Sequence, residues 1–121
     1  MKYQSPARGN EISCVMRGIN AKTLNDHKKL EKALLWALKE DRFTILKKAS
    51  HVFEPNGFTL VVLLAESHVS IHTYPEHGSM YFGLYSCRGE GDGKKTYEIF
   101  RDAVKPVSVD FIQRPILVGR E

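Results

Sequence analysis

Leu64-Ala-Glu-Ser-His-Val-Ser-Ile-His-Thr-Tyr-Pro-Glu76 is the stretch from which the rest of the chain is read. Its central run, Ser67 to Tyr74, is strand-like, and Val69 to Tyr74 is expected to pair with Met80 to Cys87 around a connection at Pro75 to Ser79. Upstream, Phe58 to Ala65 is β-branched and aliphatic, Pro55-Asn-Gly57 is a turn signal, and Phe43 to Phe53 is rich in strand formers. These segments predict a second hairpin joined to the first.

Toward the N-terminus, Ile12 to Arg17 reads as a short strand and Gly18 to Lys22 as a connection, with Thr23 or Asn25 able to cap a helix. From Asp26 to Lys39 the apolar residues Leu30, Ala33, Leu34, Ala37 and Leu38 recur at three and four, opposite Lys and Glu. Toward the C-terminus, the glycine-rich loop Arg88 to Lys94 precedes a short amphipathic helix, Lys95 to Val104, which Pro106 ends. Val107 to Ile112 is the last expected strand, and Pro115 is expected to interrupt further pairing. The order β-α-β-β-β-β-α-β with central hairpins predicts an α+β two-layer sandwich, an antiparallel sheet with both helices on one face. The other face then needs cover.

The 121 residues make one domain (1–121), able to bury roughly two thirds of its unfolded surface. With 42% hydrophobic and 26% charged residues, the composition is that of an ordinary globular protein. The start has no apolar h-region, and the longest apolar run, Leu60 to Ala65, is too short to cross a bilayer, so no membrane association and a cytoplasmic location are expected. The two cysteines, Cys14 and Cys87, are then expected as reduced thiols. A formal charge of +4 admits nucleic acid, but Lys and Arg alternate with Asp and Glu, and no nucleic-acid partner is expected. His68-x-x-x-His72 would share a metal on a helix; on a strand the rings stand about 13 Å apart, and no metal site is expected.

Ser67, His72 five residues later and Cys87 twenty residues after the serine are the reactive residues of this region. Their register resembles the self-cleavage site of prokaryotic S-adenosylmethionine decarboxylase proenzymes, in which an internal serine becomes a covalent pyruvoyl cofactor. Singly, a strand-end hydroxyl, a half-buried histidine and a small core thiol each have an ordinary structural explanation. The joint spacing outweighs those explanations. The likeness spans residues 9 to 112 and is specific between Phe53 and Cys87.

The resemblance implies that Ser67 Oγ attacks the carbonyl of Glu66, that the chain breaks between 66 and 67, and that the pyruvoyl group then forms a Schiff base with the substrate and acts as electron sink. His72 is the implied processing base and acid. Thr59, eight residues before the serine, is the implied processing hydroxyl. Cys87 is the implied proton donor to the substrate. Phe53 matches the aromatic position that stacks on adenine and Glu76 the carboxylate that binds ribose, while Tyr74 stands where bacterial members usually have Trp and keeps a ring there. The family also implies a homodimer with a four-layer αββα arrangement. Because residues 67 and 72 differ by an odd number, strand alternation requires a kink or bulge near Ser67 to bring them together.

Where relatives commonly read Asp-Val-Phe-Thr-Cys-Gly, this chain has Gly83-Leu-Tyr-Ser-Cys-Arg88, and Gly-x-His near the N-terminus is Gly9-Asn-Glu11. Some relatives decarboxylate arginine or ornithine, for which Arg88 could bind the substrate carboxylate and Glu90 or Asp92 the distal cation. The small-molecule substrate is thus expected to be S-adenosylmethionine, with those amino acids as the alternative. A dimeric binding module that has lost the chemistry is the non-enzymatic alternative.

Overall fold

The computed structural model describes residues 3–119. Its elements run β1 (Arg8–Arg17), α1 (Ala21–Leu24), α2 (His27–Glu40), β2 (Ile45–Val52), β3 (Phe58–Leu64), β4 (Ser67–Tyr74), a 3₁₀ turn (Pro75–His77), β5 (Ser79–Ser86), α3 (Lys94–Val104) and β6 (Ser108–Leu117). The strands form one sheet in the order β2-β3-β4-β5-β1-β6, with every neighbouring pair antiparallel. The expected antiparallel α+β sandwich is what the chain adopts.

Alternation decides which side chains meet the helices. Along β4 the residues Val69, Ile71 and Thr73 are buried, whereas His68, Ser70, His72 and Tyr74 are not. Ile12, Cys14 and Met16 of β1, Leu60 and Val62 of β3, and Met80, Phe82 and Leu84 of β5 join them in one core. Leu30, Leu34 and Leu38 of α2 and Phe100 and Val104 of α3 complete it from above. Phe82 stacks on Phe100 at 5.8 Å and meets Tyr97 edge-on at 6.0 Å, so these rings key α3 to the sheet.

The opposite face carries Ser13, Val15, Val61, Leu63, His68, Ser70, His72, Tyr81, Gly83, Tyr85 and Ile112. Val61, Leu63 and Ile112 are 41%, 48% and 62% exposed, an apolar set with no cover among the described residues.

Several boundaries differ from expectation. β1 begins at Arg8 rather than Ile12, because β6 runs far enough to pair with it: Asn10 stands opposite Pro115 and Arg8 opposite Leu117. Pro115 therefore does not end the pairing. β6 is an edge strand, where alternate residues turn their N–H outward, and a missing donor there removes no ladder bond. The expected connection at Gly18 to Lys22 contains part of α1, capped by Asn20, whose side chain accepts from the Lys22 N–H at 2.8 Å. Asp26, not Thr23 or Asn25, caps α2, accepting from the Lys29 N–H at 3.2 Å.

The expected bulge near Ser67 is absent. Leu64 pairs with Ser67 across the two-residue turn Ala65-Glu66, and the β3–β4 and β4–β5 registers run without a shift from there to Tyr74. The irregularity in the sheet falls instead in β2, between Ile45 and Lys47. Unbroken alternation is the cheaper solution, since it sends Val69 and Ile71 to the core together.

Phe82 is fully buried at the contact between sheet and α3. Phe82→Ala is expected to lower stability by about 3–5 kcal/mol, measured as a lower midpoint in urea unfolding at fixed protein concentration.

Candidate active site

The Glu66-Ser67 peptide lies at the tip of the β3–β4 hairpin, where Glu66 takes a left-handed backbone, φ 68°. A non-glycine residue there costs on the order of 1–2 kcal/mol, held by the flanking ladder. The turn is also tied down by Ala65, whose N–H donates to the Thr44 carbonyl at 2.9 Å. Ser67 is buried, and its Oγ accepts the Cys87 backbone N–H at 3.2 Å. The serine and the cysteine, twenty residues apart in sequence, are thus neighbours across the β4–β5 ladder.

On the open face, Tyr85 stands two residues before Cys87, and its phenol is pushed up by burial, by the Cys87 charge and hydrogen bond, and by Glu11. Tyr3 reaches the same end, its hydroxyl donating to Glu66 Oε2 at 2.9 Å. Both cysteines are free. Cys14 is buried, and burial pushes its thiol up to about 12, which leaves it inert beside the half-exposed Cys87.

His72 lies elsewhere. It pairs with Thr59 across the β3–β4 ladder, and its Nδ1 shares a 3.0 Å hydrogen bond with Thr59 Oγ1. Tyr81 flanks the imidazole with ring centroids 5.9 Å apart. Five strand residues put His72 about 17 Å along β4 from Ser67, on the opposite face. Thr59 and His72 therefore form one group, and Ser67, Glu66 and Cys87 another. The residues expected around a nucleoside lie toward the His72 end: Tyr74 ends β4 at 50% exposure, Glu76 is exposed on the following 3₁₀ turn, and Phe53, 48% exposed, follows β2 with its ring edge-on to His51.

A family model for S-adenosylmethionine decarboxylase matches residues 11–114. The chain belongs to the S-adenosylmethionine decarboxylase family. It is 34% identical over 115 residues to the S-adenosylmethionine decarboxylase proenzyme of Thermoplasma volcanium, covering 93% of this chain and 88% of that one. It is 35% identical over 104 residues to the proenzyme of Methanococcus vannielii, covering 86% and 85%. Its structure is similar to the crystal structure of the adenosylmethionine decarboxylase from Aquifex aeolicus, with a TM-score of 0.86, 26% identity and 97% of each chain covered.

Within this decarboxylase fold, Arg88 is committed to the helix layer. Its Nε and Nη2 donate to Asp92 at 2.8 and 3.0 Å, Nη2 reaches Asp41 at 3.3 Å, and the guanidinium lies 3.5 Å above the Phe43 ring. Asp41 in turn accepts from the Thr96 N–H and hydroxyl at 3.0 and 2.8 Å, so the same network caps α3. Asp92 also accepts from the Ser86 hydroxyl, and its carbonyl accepts from Asn10 Nδ2 at 2.6 Å. The glycine-rich loop is thereby anchored to α2, α3, β1 and β5.

Two residues at this end of the sheet were not singled out from sequence, Tyr85 and Tyr3, and Gly9 was quoted only for its departure from Gly-x-His. Tyr85 was within reach of a simple signal, since two residues before Cys87 on a strand means the same face. Tyr3 had none, because its contact with Glu66 spans 63 positions. Among the described residues, no group of three His, Cys, Asp or Glu side chains is placed to hold a metal, and no helix is long and apolar enough to cross a membrane.

Burial alone would raise the Asp92 carboxyl, but hydrogen bonds from Arg88 and Ser86 and the Arg88 charge outweigh it and hold the group below its usual range. A lowered carboxyl adds stability above the unfolded value, about 3.9, and loses it as pH falls through the folded one. Thermal melts should thus show a stability loss setting in below about pH 4, and Asp92→Asn should lower Tm by a few degrees at pH 7 while flattening that acid limb.

Proposed function

We propose that residues 1–121 form one self-processing domain that breaks its own chain between Glu66 and Ser67 and decarboxylates S-adenosylmethionine. The observation that carries this reading is the Glu66-Ser67 peptide itself. It sits at a tight hairpin tip with Glu66 in the left-handed region and the Cys87 N–H on Ser67 Oγ, inside a fold matched along nearly its whole length by S-adenosylmethionine decarboxylases. The relatives described above are S-adenosylmethionine decarboxylase proenzymes, and the arginine or ornithine alternative finds no support among them.

Processing follows from the chain's own groups. Ser67 Oγ adds to the Glu66 carbonyl carbon, and the Glu66–Ser67 C–N bond breaks to leave an ester. A left-handed Glu66 and a two-residue turn favour this by holding the peptide in one pose while amide resonance is lost. A base removes the Ser67 α-proton, the Glu66 carboxylate leaves from Cβ, and water hydrolyses the dehydroalanine with release of ammonia to yield the pyruvoyl group. The donor set at residue 67 fits that group: the Cys87 N–H already faces it, and the same residue carries a thiol. When present, the pyruvoyl supplies a carbonyl that condenses with the substrate amine and accepts the electrons released with CO₂. Cys87 holds a proton at Sγ for the carbon that lost CO₂. A cytoplasmic setting keeps that thiol reduced.

We place Thr59 and His72 in processing as a hydrogen-bonded base and hydroxyl, and Phe53, Tyr74 and Glu76 around the nucleoside. Neither group reaches Ser67 within one chain. From Ser67 to Tyr74 the strand spans about 23 Å. A second copy packed over the open face, with its β4 reversed, brings its own His72 end over the hairpin tip, where it meets the Glu66–Ser67 peptide from the side opposite to the inward-turned Ser67 Oγ. The exposed Val61, Leu63 and Ile112 give that face a reason to pair, which supports a homodimer of four layers. Arg88 is assigned to anchoring the loop rather than to substrate, since its Nε and Nη2 are engaged.

Intact-mass spectrometry should find two fragments, 1–66 and 67–121. Ser67→Ala should leave one full-length species. Cys87→Ala should still cleave while release of labelled CO₂ from carboxyl-labelled S-adenosylmethionine falls by about 10²-fold or more. A wild-type chain that stays whole and releases no CO₂ would instead indicate a binding module.

A further inference from the structure

The Tyr85 ring leans over Gly9, which lies beyond Asn10 in the β1–β5 register on the side toward Cys87, in a gap cut for it in the neighbouring strand. β5 ends at Ser86, and alternation sets Tyr81, Gly83, Tyr85 and then Cys87 toward the open face. Across the ladder Gly9 of β1 backs the Tyr85 ring. A Cβ added at Gly9 would lie 2.6 Å from Tyr85 Cζ and 2.8 Å from Cε1, and would also press on the hydroxyl. Gly9 does not have the positive φ that calls for glycine, so here the missing side chain serves room for the ring and not backbone freedom. On the other side the His68 ring stands 6.1 Å away. The phenol thus has one seat, between Gly9 and His68.

The charged and titratable groups around that seat come from every neighbouring element. Glu11 of β1 is Tyr85's partner in register and is ion-paired with Arg114 of β6 at 2.9 Å. His68 comes from β4, and Tyr3 and Glu66 lie at the scissile turn. Burial, Cys87 and Glu11 all push the phenol up, which keeps its proton on oxygen and makes it a donor.

We propose that Tyr85 is a positioning residue for the proton-donating thiol: its O–H points at Cys87 Sγ and stabilises the sulfur as it gives up its proton, and Gly9 fixes it there. The proposal rests on the reading of Cys87 as proton donor. In the step, the S–H proton goes to the substrate carbon that lost CO₂ and the bonding pair stays on sulfur. Tyr85 lends a hydrogen bond without transferring its own proton, and solvent water later reprotonates the thiolate. A charge-assisted bond of this kind is strongest when sulfur is anionic, so its loss is felt in proton transfer more than in binding.

The test is the pH dependence of iodoacetamide alkylation of the purified protein, with its cleaved fraction recorded by intact mass. Cys14 is buried and does not compete. Tyr85→Phe keeps the ring and removes only the hydroxyl. Its alkylation profile is expected to move to higher pH, with the rate at pH 7 reduced about threefold and kcat for CO₂ release about tenfold at unchanged KM. Gly9→Ala, which keeps the hydroxyl but unseats the ring, should move the profile the same way, and the double variant should add nothing to Tyr85→Phe. Superimposable profiles for Tyr85→Phe and wild type would overturn the proposal. Full decarboxylation by Cys87→Ala would instead remove the proton-donor reading, an outcome the alkylation profile does not mimic because it reads the thiol directly.

Discussion

The two-residue period of β4 governs this molecule. With no bulge in its ladders, the strand must send Val69, Ile71 and Thr73 to one side and His68, Ser70 and His72 to the other. The first set finds α2 and α3 and becomes core. The second set, with Val61, Leu63, Tyr81, Tyr85 and Ile112 beside it, forms a face that is neither polar enough to be ordinary surface nor covered by any of the described elements. A one-residue slip would exchange the two sets and lose the core, so the register is strongly held. The same rigidity keeps Ser67 and His72 apart.

That separation gives the chemistry its layout. One end of the sheet holds the strained turn, Ser67 and Cys87; the other holds the Thr59–His72 pair and the exposed Tyr74 and Glu76. On the helix side, the Arg88 network ties the loop after Cys87 to Asp41 and to the start of α3. The loop after Cys87 is therefore held from behind by a polar network, and Tyr85 stands before Cys87 on the open face. Both supports depend on residues that carry no chemistry of their own, Asp92 in one case and Gly9 in the other.

Much of this was legible in the sequence. The three-and-four spacing of Leu30, Leu34 and Leu38 marked α2, and the turn signal at Pro55 to Gly57 marked the β2–β3 hairpin. What escaped was tertiary in origin. β1 starts early because β6 is there to pair with Arg8, and Pro115 stays in β6 because the strand is an edge; neither fact is local. The offsets from Ser67 to His72 and Cys87 singled out these three residues but not their arrangement. They invited a bulge that would join Ser67 and His72 in one chain, whereas burying Val69 and Ile71 on a regular strand wins. The contact of Gly9 with Tyr85 escaped because it lies between strands distant in sequence.

The central claim is that His72 of one copy serves Ser67 of another. It is tested most directly by co-expressing, with distinct purification tags, one chain carrying Ser67→Ala and one carrying His72→Ala, and following cleavage of the mixed dimer by intact mass. Action between copies predicts that the His72→Ala chain, uncleaved alone, breaks between 66 and 67 when paired with the Ser67→Ala chain. If it stays whole in the mixed dimer while wild type cleaves, His72 does not act across the pair and the account is wrong.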